Sequence, residues 1–298
     1  GVTGVQTCAL PISRDGPATA FEADPIVSDI FTCNDGDYFG LVLVTNWPPP
    51  IDFMDKPYQK FLTAVRTCFN RQDFISNNSE SHVPAVYLYP TVHLHITLAT
   101  FIRPRKIGHG DKKCHKEKTK TQQICSLLEF ASQLPDWPSD GDSLQLVVDS
   151  VQLGSKAGIL LWADLSGGVA KIRNCLQQAA ATQAEFVDVD ITIPGIIHST
   201  FLRFSRIPQT PGHIIQKKFQ SEIVARIGSG GGVRKDGFFN FEFDGNDDGT
   251  DLEGECKKIS YRPIVIRADT VKLVCESTPY MHVPDDEQHV VWSKSLSQ

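Results

Sequence analysis

Runs in which apolar and polar residues alternate define the strands that this sequence predicts, and the clearest run is residues 92–99. Side chains two apart on a strand point to the same face. One face would carry Val92, Leu94, Ile96 and Leu98. The other would carry His93, His95, Thr97 and Ala99. The first set is typical of a core face, whereas two imidazoles and a hydroxyl make the second a candidate site.

The other apolar patterns alternate between strands and helices, and one plan occurs twice. A buried strand at 38–47, a helix around 61–69 and strands at 85–101 are followed by a helix at 124–134. The second half predicts paired strands at 144–165, a helix around 172–179 and a strand at 195–204. This repeat predicts an α+β fold of two lobes, formed by pseudo-two-fold duplicated antiparallel sheets with flanking helices around a central cleft. The lobe boundary is expected at 135–142, where PDWPSDGD breaks the pattern.

The ends and one internal segment lack such patterns. Residues 1–37 are expected to be a leader or a poorly ordered N-terminal segment, and residues 291–298 a C-terminal tail. Residues 38–290 would then form a single bilobal domain. Within it, the Gly- and Asp-rich residues 228–258 predict a mobile insertion.

Composition adds little beyond a globular class. The 298 residues are 41% hydrophobic and 21% charged, and no apolar run approaches the roughly 20 residues of a membrane span. The eight cysteines are scattered, and Cys68, Cys125 and Cys175 fall at apolar positions of helical patterns. We therefore expect reduced thiols, as in a protein of the cytoplasm or nucleus. We also expect a soluble monomer without a membrane partner.

Charge is unevenly distributed. Residues 103–120 contain eight Lys or Arg and two acidic residues, although the whole chain has a net charge of −6. This basic run directly follows the strand that carries His95. Two interpretations are open: a solvated loop, or an electrostatic guide for phosphate or RNA.

The candidate chemistry lies in a repeated triplet. His95 to Thr97 reads HIT, and His198 to Thr200 reads HST, 103 residues later in the corresponding place of the second half. One such triplet has no predictive value, but two in matching strands do. Cleavage of a phosphodiester requires one group to remove a proton and another to supply one. Two histidines, with a pKa near 6.5, can fill both roles near neutrality, and the threonine hydroxyls can bind phosphate oxygens.

With these motifs, the sequence resembles the 2H (two-histidine) phosphoesterases, the superfamily of 2′,5′-RNA ligase-like proteins and cyclic phosphodiesterases. The resemblance rests on VYLYPTVHLHITLATF and HSTFLRF and extends over residues 38–290. It implies the bilobal fold and a phosphodiesterase acting on an RNA or nucleotide substrate, without metal or cofactor. His95 and His198 would be catalytic, and Thr97 and Thr200 would bind the substrate phosphate. Phe201 departs mildly from the family pattern, which more often has leucine there.

Other residues have more than one interpretation. His93 could form a metal pair with His95 but has no convincing third ligand, so we expect it in the pocket wall. Arg203 matches an arginine of some 2H proteins, although strict alternation turns it away from His198, so a structural salt bridge is equally plausible. Tyr280 resembles a late aromatic residue near the family's cleft but could simply pack. Trp162 is expected in the core.

Two further alternatives concern function. Residues 244–255, DGNDDGTDLEGE, match the calcium-loop template, but a disordered acidic loop is the preferred interpretation. The leading functional hypothesis is a metal-independent phosphodiesterase acting on 2′,3′-cyclic phosphates, 2′,5′ linkages or oligonucleotide ends. The competing class is a non-catalytic module that binds a nucleotide or RNA end in the same cleft.

Overall fold

The structure is a computed structural model that describes residues 21–69, 84–107, 111–138, 141–227, 239–243 and 260–296. The strands are β1 Tyr38–Thr45, β2 Val86–Leu88, β3 Ile96–Lys106, β4 Leu144–Leu153, β5 Ala157–Asp164, β6 His198–Phe204, β7 Asn240–Phe243, β8 Ser260–Pro263, β9 Val265–Ala268, β10 Thr270–Cys275 and β11 Val290–Ser295. The α-helices are α1 Ile51–Phe53, α2 Gln59–Cys68, α3 Asp111–Ala131, α4 Gly168–Thr182 and α5 Gly212–Glu222. Short 3₁₀ helices include Pro25–Phe31, Thr91–His93 and Pro279–Met281.

Two antiparallel sheets form the body of the protein. The first has the order β11-β10-β1-β3, and the second has the order β2-β6-β5-β4-β9. Strands β7 and β8 form a separate antiparallel pair. Helices flank the sheets, and one hydrophobic core reaches from Leu43 of the first sheet to Leu160 of the second. The predicted α+β class with two antiparallel sheets is confirmed.

The predicted lobe boundary at 135–142 falls where the chain passes from α3 to β4 of the second sheet, but the two sheets do not divide the chain into halves. Strand β2, from the first half, pairs with β6 in the second sheet. Strand β10, from the end of the chain, pairs with β1 in the first sheet. Every residue of β1 is buried, and this strand is central in its sheet, with β3 on one edge and β10 on the other.

Both predicted ends also need correction where the structure describes them. Phe21 is only 5% exposed and its ring lies 4.6 Å from that of Phe204, so residues 21–37 belong to the folded domain. At the other end, β11 pairs with β10 and Leu296 is fully buried. Residues 291–296 are therefore an edge strand and its end, not a tail. Residues 1–20 lie outside the described part of the chain.

The alternation predicted for residues 92–99 holds only in its middle. Leu94, Ile96 and Leu98 are fully buried as expected, but Val92 is 52% exposed because residues 91–93 form a 3₁₀ turn before the strand begins. Ala99 was expected beside Thr97 and is instead fully buried. The cause is a register shift: Thr97 pairs with Val44 and Ala99 with Leu43, so β3 gains a residue at Leu98 and its later side chains change face.

Three other predicted segments differ from expectation or fall outside the description. The basic run 103–120 is not a loop, because residues 103–106 end β3 and residues 111–120 begin α3. The predicted insertion 228–258 contains β7, which pairs with β8, while residues 228–238 and 244–259 are outside the described ranges. The calcium-loop candidate at 244–255 is therefore also outside them.

Two observations bear on the predictions about the cysteines and the membrane. Cys68 and Cys175 are buried free thiols, as their apolar positions predicted, and Cys125 is a partly buried free thiol. Within the described ranges, no helix has the length and apolarity needed to cross a membrane.

Candidate active site

A cavity of about 430 Å³ lies between the two sheets, where β3 and β6 approach each other. All four motif residues line it: His95 and Thr97 from the first triplet, and His198 and Thr200 from the second. The remaining lining residues are Ile26, Val42, Tyr89, Thr100, Arg103, Pro104, Thr192, Arg203, Glu276 and Tyr280. The two triplets, 103 residues apart in sequence, thus meet at one site.

Arg203 also faces this cavity, which corrects the expectation that alternation turns it away from His198. In the pairing of β5 with β6, Gly158 lies opposite Leu202 but Ile159 lies opposite Thr200, so Phe201 is an extra residue in β6. A bulge of this kind reverses the face of every later side chain. Gly158 permits it, since a Cβ at this position would lie 2.5 Å from the Phe201 ring.

The His95 ring has a defined tautomer. Its Nδ1 donates a hydrogen bond of 2.9 Å to the carbonyl of His93, so Nε2 is left with its lone pair. Burial lowers the pKa of His95 to about 4, and the bond to the His93 carbonyl offsets only part of this effect. In the free protein His95 is therefore neutral at pH 7, as a group that accepts a proton must be.

His198 has a related environment. Burial lowers its pKa, the Ile196 backbone opposes that effect, and the charges of Arg173 and Arg203 lower the pKa further. Its Nδ1 is buried, and no acceptor among the described residues lies in hydrogen-bonding geometry. The two backbone groups, at His93 and Ile196, each precede their histidine by two residues, so the rings have similar local surroundings.

The middle residue of the second triplet connects the two motifs. Ser199 is only 1% exposed, and its hydroxyl donates to the carbonyl of His95 at 2.6 Å. The same hydroxyl accepts a hydrogen bond of 3.0 Å from Nε1 of Trp162. Trp162 is thus a core residue, as expected, but it also orients Ser199. Nearby, Thr100 and Thr192 exchange backbone hydrogen bonds of 2.8 and 2.9 Å, which join β3 to the segment before β6.

Arg173, on α4, makes a second connection between the motif strands. Its Nε donates to the carbonyl of Leu98 at 3.2 Å, and one Nη donates to the carbonyls of Thr97 and Ile196 at 3.1 and 3.2 Å. Two of these acceptors belong to β3 and the third lies two residues before His198. The planar guanidinium suits such a role because its donors are fixed relative to one another.

Arg203 is held at the cavity wall by three neighbours. It pairs with Asp24 at 2.7 Å, its Nε donates to the hydroxyl of Tyr89 at 3.1 Å, and its guanidinium lies 4.0 Å from the centre of the Tyr280 ring. Tyr280 in turn donates to Asp24 at 2.6 Å. Burial alone would lower the pKa of Arg203, but the two tyrosines and the aspartate raise it overall. The guanidinium therefore stays charged and is fixed at the cavity wall, paired with the Asp24 carboxylate.

Glu276 also lines the cavity and is only 3% exposed. It accepts a hydrogen bond of 2.8 Å from the backbone of Met281. Burial raises its pKa to about 7, although the Met281 N–H and Arg203 both act in the other direction. Tyr280 and Met281 both have left-handed backbones with φ of 61°, a conformation that costs about 1–3 kcal/mol per residue. The hydrogen bond that Met281 donates to Glu276 helps to hold this turn, which presents Tyr280 to the cavity.

The structure places His93 away from the cavity lining. Its ring packs on that of His282, with centroids 4.2 Å apart, and His282 is hydrogen-bonded to the Tyr87 hydroxyl at 2.7 Å. Burial lowers the pKa of His93, and burial followed by the neighbouring charges of His93 and His95 lowers that of His282 to about 3. In the described part of the chain, no group of three His, Cys, Asp or Glu side chains could hold a metal ion.

The sequence did not indicate several of these residues. Asp24 was assigned to the leader, and Arg173 belongs to an ordinary amphipathic helix, so neither had a local signal. Glu276 had a weak one, as a carboxylate directly after the buried strand β10. The four motif residues, Arg203 and Tyr280 were indicated by the sequence, and the structure brings these six into one cavity.

The sequence matches no protein-family model and no curated protein. Among solved structures, the fold is similar to the crystal structure of TT0787 of Thermus thermophilus. The TM-score is 0.34 with 9% identical residues, over 86% of this chain and 97% of that one.

Proposed function

We propose that this protein is a phosphodiesterase that cleaves RNA-type phosphodiesters without a metal ion. The substrates would be 2′,3′-cyclic phosphates, 2′,5′ linkages or oligonucleotide ends. One observation carries the proposal: His95 and His198 line a single cavity, and each has a threonine two residues later that lines it too. The resemblance of both triplets to those of the 2H phosphoesterases supports the same class of reaction.

The surroundings of the two histidines suit His95 as the general base and His198 as the general acid. For a 2′,3′-cyclic phosphate, Nε2 of neutral His95 would take a proton from water as the water oxygen attacks phosphorus. One ring P–O bond would break, and protonated His198 would supply a proton to the departing ribose oxygen. The product is a phosphate monoester with one free ribose hydroxyl. His198 is not charged at pH 7 in the free protein, but a bound phosphodiester anion would raise its pKa.

Other lining groups would stabilise the charge on the phosphate. The hydroxyls of Thr97 and Thr200 can donate to the two non-bridging oxygens, and the guanidinium of Arg203, which is paired with Asp24, lines the same cavity as a further donor. Because acid, base and charge stabilisation can all come from side chains, the proposed reaction does not require a metal ion.

The test is turnover of a small panel by the purified protein in the presence of EDTA. The panel contains four 2′,3′-cyclic mononucleotides, 2′,5′- and 3′,5′-linked dinucleotides, and an oligonucleotide with each type of 3′ end. We expect hydrolysis of at least one RNA-type phosphodiester at a rate that EDTA leaves unchanged. Binding without turnover across the panel would reject the enzyme and favour a nucleotide-binding module. Activity that EDTA abolishes would reject the mechanism.

A further inference from the structure

We propose that Arg103 forms a second phosphate-binding site at the far end of the same cavity, so that the preferred substrate is a single-stranded oligonucleotide and not a mononucleotide. The inference rests on the proposed function, because it takes the histidine pair as the place where the scissile phosphate binds. It assigns a role to one residue of the basic run that the catalytic mechanism does not use.

The register of β3 brings Arg103 to the cavity. Strand β3 has one extra residue at Leu98 and another at Phe101, since Val42 pairs with Thr100 while Leu41 pairs with Ile102. Each shift changes the face of the residues that follow. As a result, His95, Thr97, Thr100 and Arg103 all line the cavity in order along the strand.

The length of this row suits several nucleotides. Two of the six residues from Leu98 to Arg103 are extra residues that do not lengthen the strand, so the row spans about four paired positions, or roughly 13 Å at about 3.3 Å per residue. Phosphates on one stacked strand advance about 3.4 Å each, so this length covers up to about four nucleotides. A mononucleotide bound at the histidines would leave Arg103 without a phosphate to contact.

The surroundings of Arg103 differ from those of its basic neighbours. Its side chain is exposed, and within the described ranges no ion pair neutralises it. Lys106, by contrast, pairs with Asp29 at 3.1 Å and does not line the cavity. Between Arg103 and the histidines lie the hydroxyls of Thr100 and Thr192, which can bind phosphate or ribose oxygens, and the apolar side chain of Val42.

Arg105 is a matched control. It lies two residues further along the same strand, carries the same charge and is also exposed, yet it is not part of the cavity lining. Arg103→Ala and Arg105→Ala therefore change the net charge equally. A general attraction of polyanions to the basic run would be weakened by both variants alike, whereas a phosphate site in the cavity would be lost only with Arg103.

The experiment measures kcat/KM and binding for oligouridylates of one, two, four, six and eight nucleotides that end in a 2′,3′-cyclic phosphate. Binding is measured with the 3′-phosphate products, so it does not depend on turnover. For the parent and Arg105→Ala, we expect affinity and kcat/KM to rise with length and level off near about four nucleotides. For Arg103→Ala, we expect a loss of about 5- to 20-fold at four nucleotides and a much smaller one at a single nucleotide. The slope of log affinity against log salt should fall by about one for Arg103→Ala alone.

Equal losses in Arg103→Ala and Arg105→Ala, or a loss in Arg103→Ala that is the same at every length, would overturn this inference and leave the proposed reaction standing. Absence of turnover at every length and in the panel above would reject the proposed reaction, while the binding series would still test the Arg103 site separately.

Discussion

Arg173→Met is the perturbation that best tests how the two motif strands are held together. The guanidinium donates three hydrogen bonds to backbone carbonyls, at 3.1 to 3.2 Å. A hydrogen bond from a charged donor contributes about 1.5–3 kcal/mol net. Two of the three bonds share one Nη, and water can reach part of this region, so the full sum is not expected. We predict that the free energy of unfolding falls by about 2–4 kcal/mol.

Urea unfolding at constant m-value measures this change. Lys171→Met is the matched control: it removes a cation two residues earlier on α4, where the side chain is exposed, and should change stability by less than about 0.5 kcal/mol. Arg173→Lys keeps the charge but loses the fixed fork of donors, so it should recover only part of the stability. If Arg173→Met and Lys171→Met have the same stability, the three hydrogen bonds do not join the motif strands.

The pH dependence of the Arg173 variants separates positioning from general stability. Burial lowers the pKa of His198, and the charge of Arg173 lowers it further. Removing that charge raises the pKa, so His198 stays protonated to higher pH. If His198 is the general acid, the alkaline limb of kcat/KM moves to higher pH in Arg173→Met and does not move in Arg173→Lys. A limb unchanged in both variants would contradict this assignment.

Three further outcomes are expected. Ser199→Ala should lower the free energy of unfolding by about 1–3 kcal/mol in urea titrations, because it leaves the indole N–H of Trp162 and the carbonyl of His95 without their shared partner. An unchanged urea midpoint would show that these two hydrogen bonds do not stabilise the fold. In the parent, kcat/KM for a cyclic phosphate should be highest below about pH 6.5, since burial lowers the pKa of both cavity histidines and one must be protonated; an optimum above pH 8 would refute this. Burial raises the pKa of Glu276 to about 7, so the folded state favours the neutral carboxyl and the parent loses stability as pH rises from about 4.5 through 7. The stability of Glu276→Gln relative to the parent should therefore increase as pH rises from about 5.5 to about 8.5. A stability difference between variant and parent that is equal at these two pH values would contradict the raised pKa of Glu276.

The sequence predicted those parts of the site that depend on short-range patterns. The His-x-Thr triplets could be found because residues two apart on one strand share a face, and their repetition indicated that they act together. The position of Arg203 after the second triplet marked it as a candidate. The sequence could not predict which face of β6 its side chain would lie on. Its orientation depends on the extra residue at Phe201, and a bulge is set by the pairing of two strands that lie far apart in sequence.

The remaining features depend on tertiary contacts. Nothing local to β2 indicates that it pairs with β6, and this pairing is why the lobes do not follow the two halves of the chain. Asp24 became part of the site only through its ion pair with a residue 179 positions away. Arg173 likewise has its role because α4 lies beside β3, and the same amphipathic pattern would be found in a helix that packed elsewhere.

The central claim is that His95 and His198 act together in one proton-transfer mechanism, and a double-mutant cycle tests it most directly. The rate of cleavage of the best substrate from the panel is measured for the parent, His95→Ala, His198→Ala and the double variant, with folding checked by circular dichroism. Groups that act as a unit have strongly non-additive effects. We predict that each single variant loses at least about 100-fold in kcat, a typical value for loss of a general acid or base, and that the double variant loses little more than either one. Independent, multiplicative losses, or full activity in either single variant, would contradict the account.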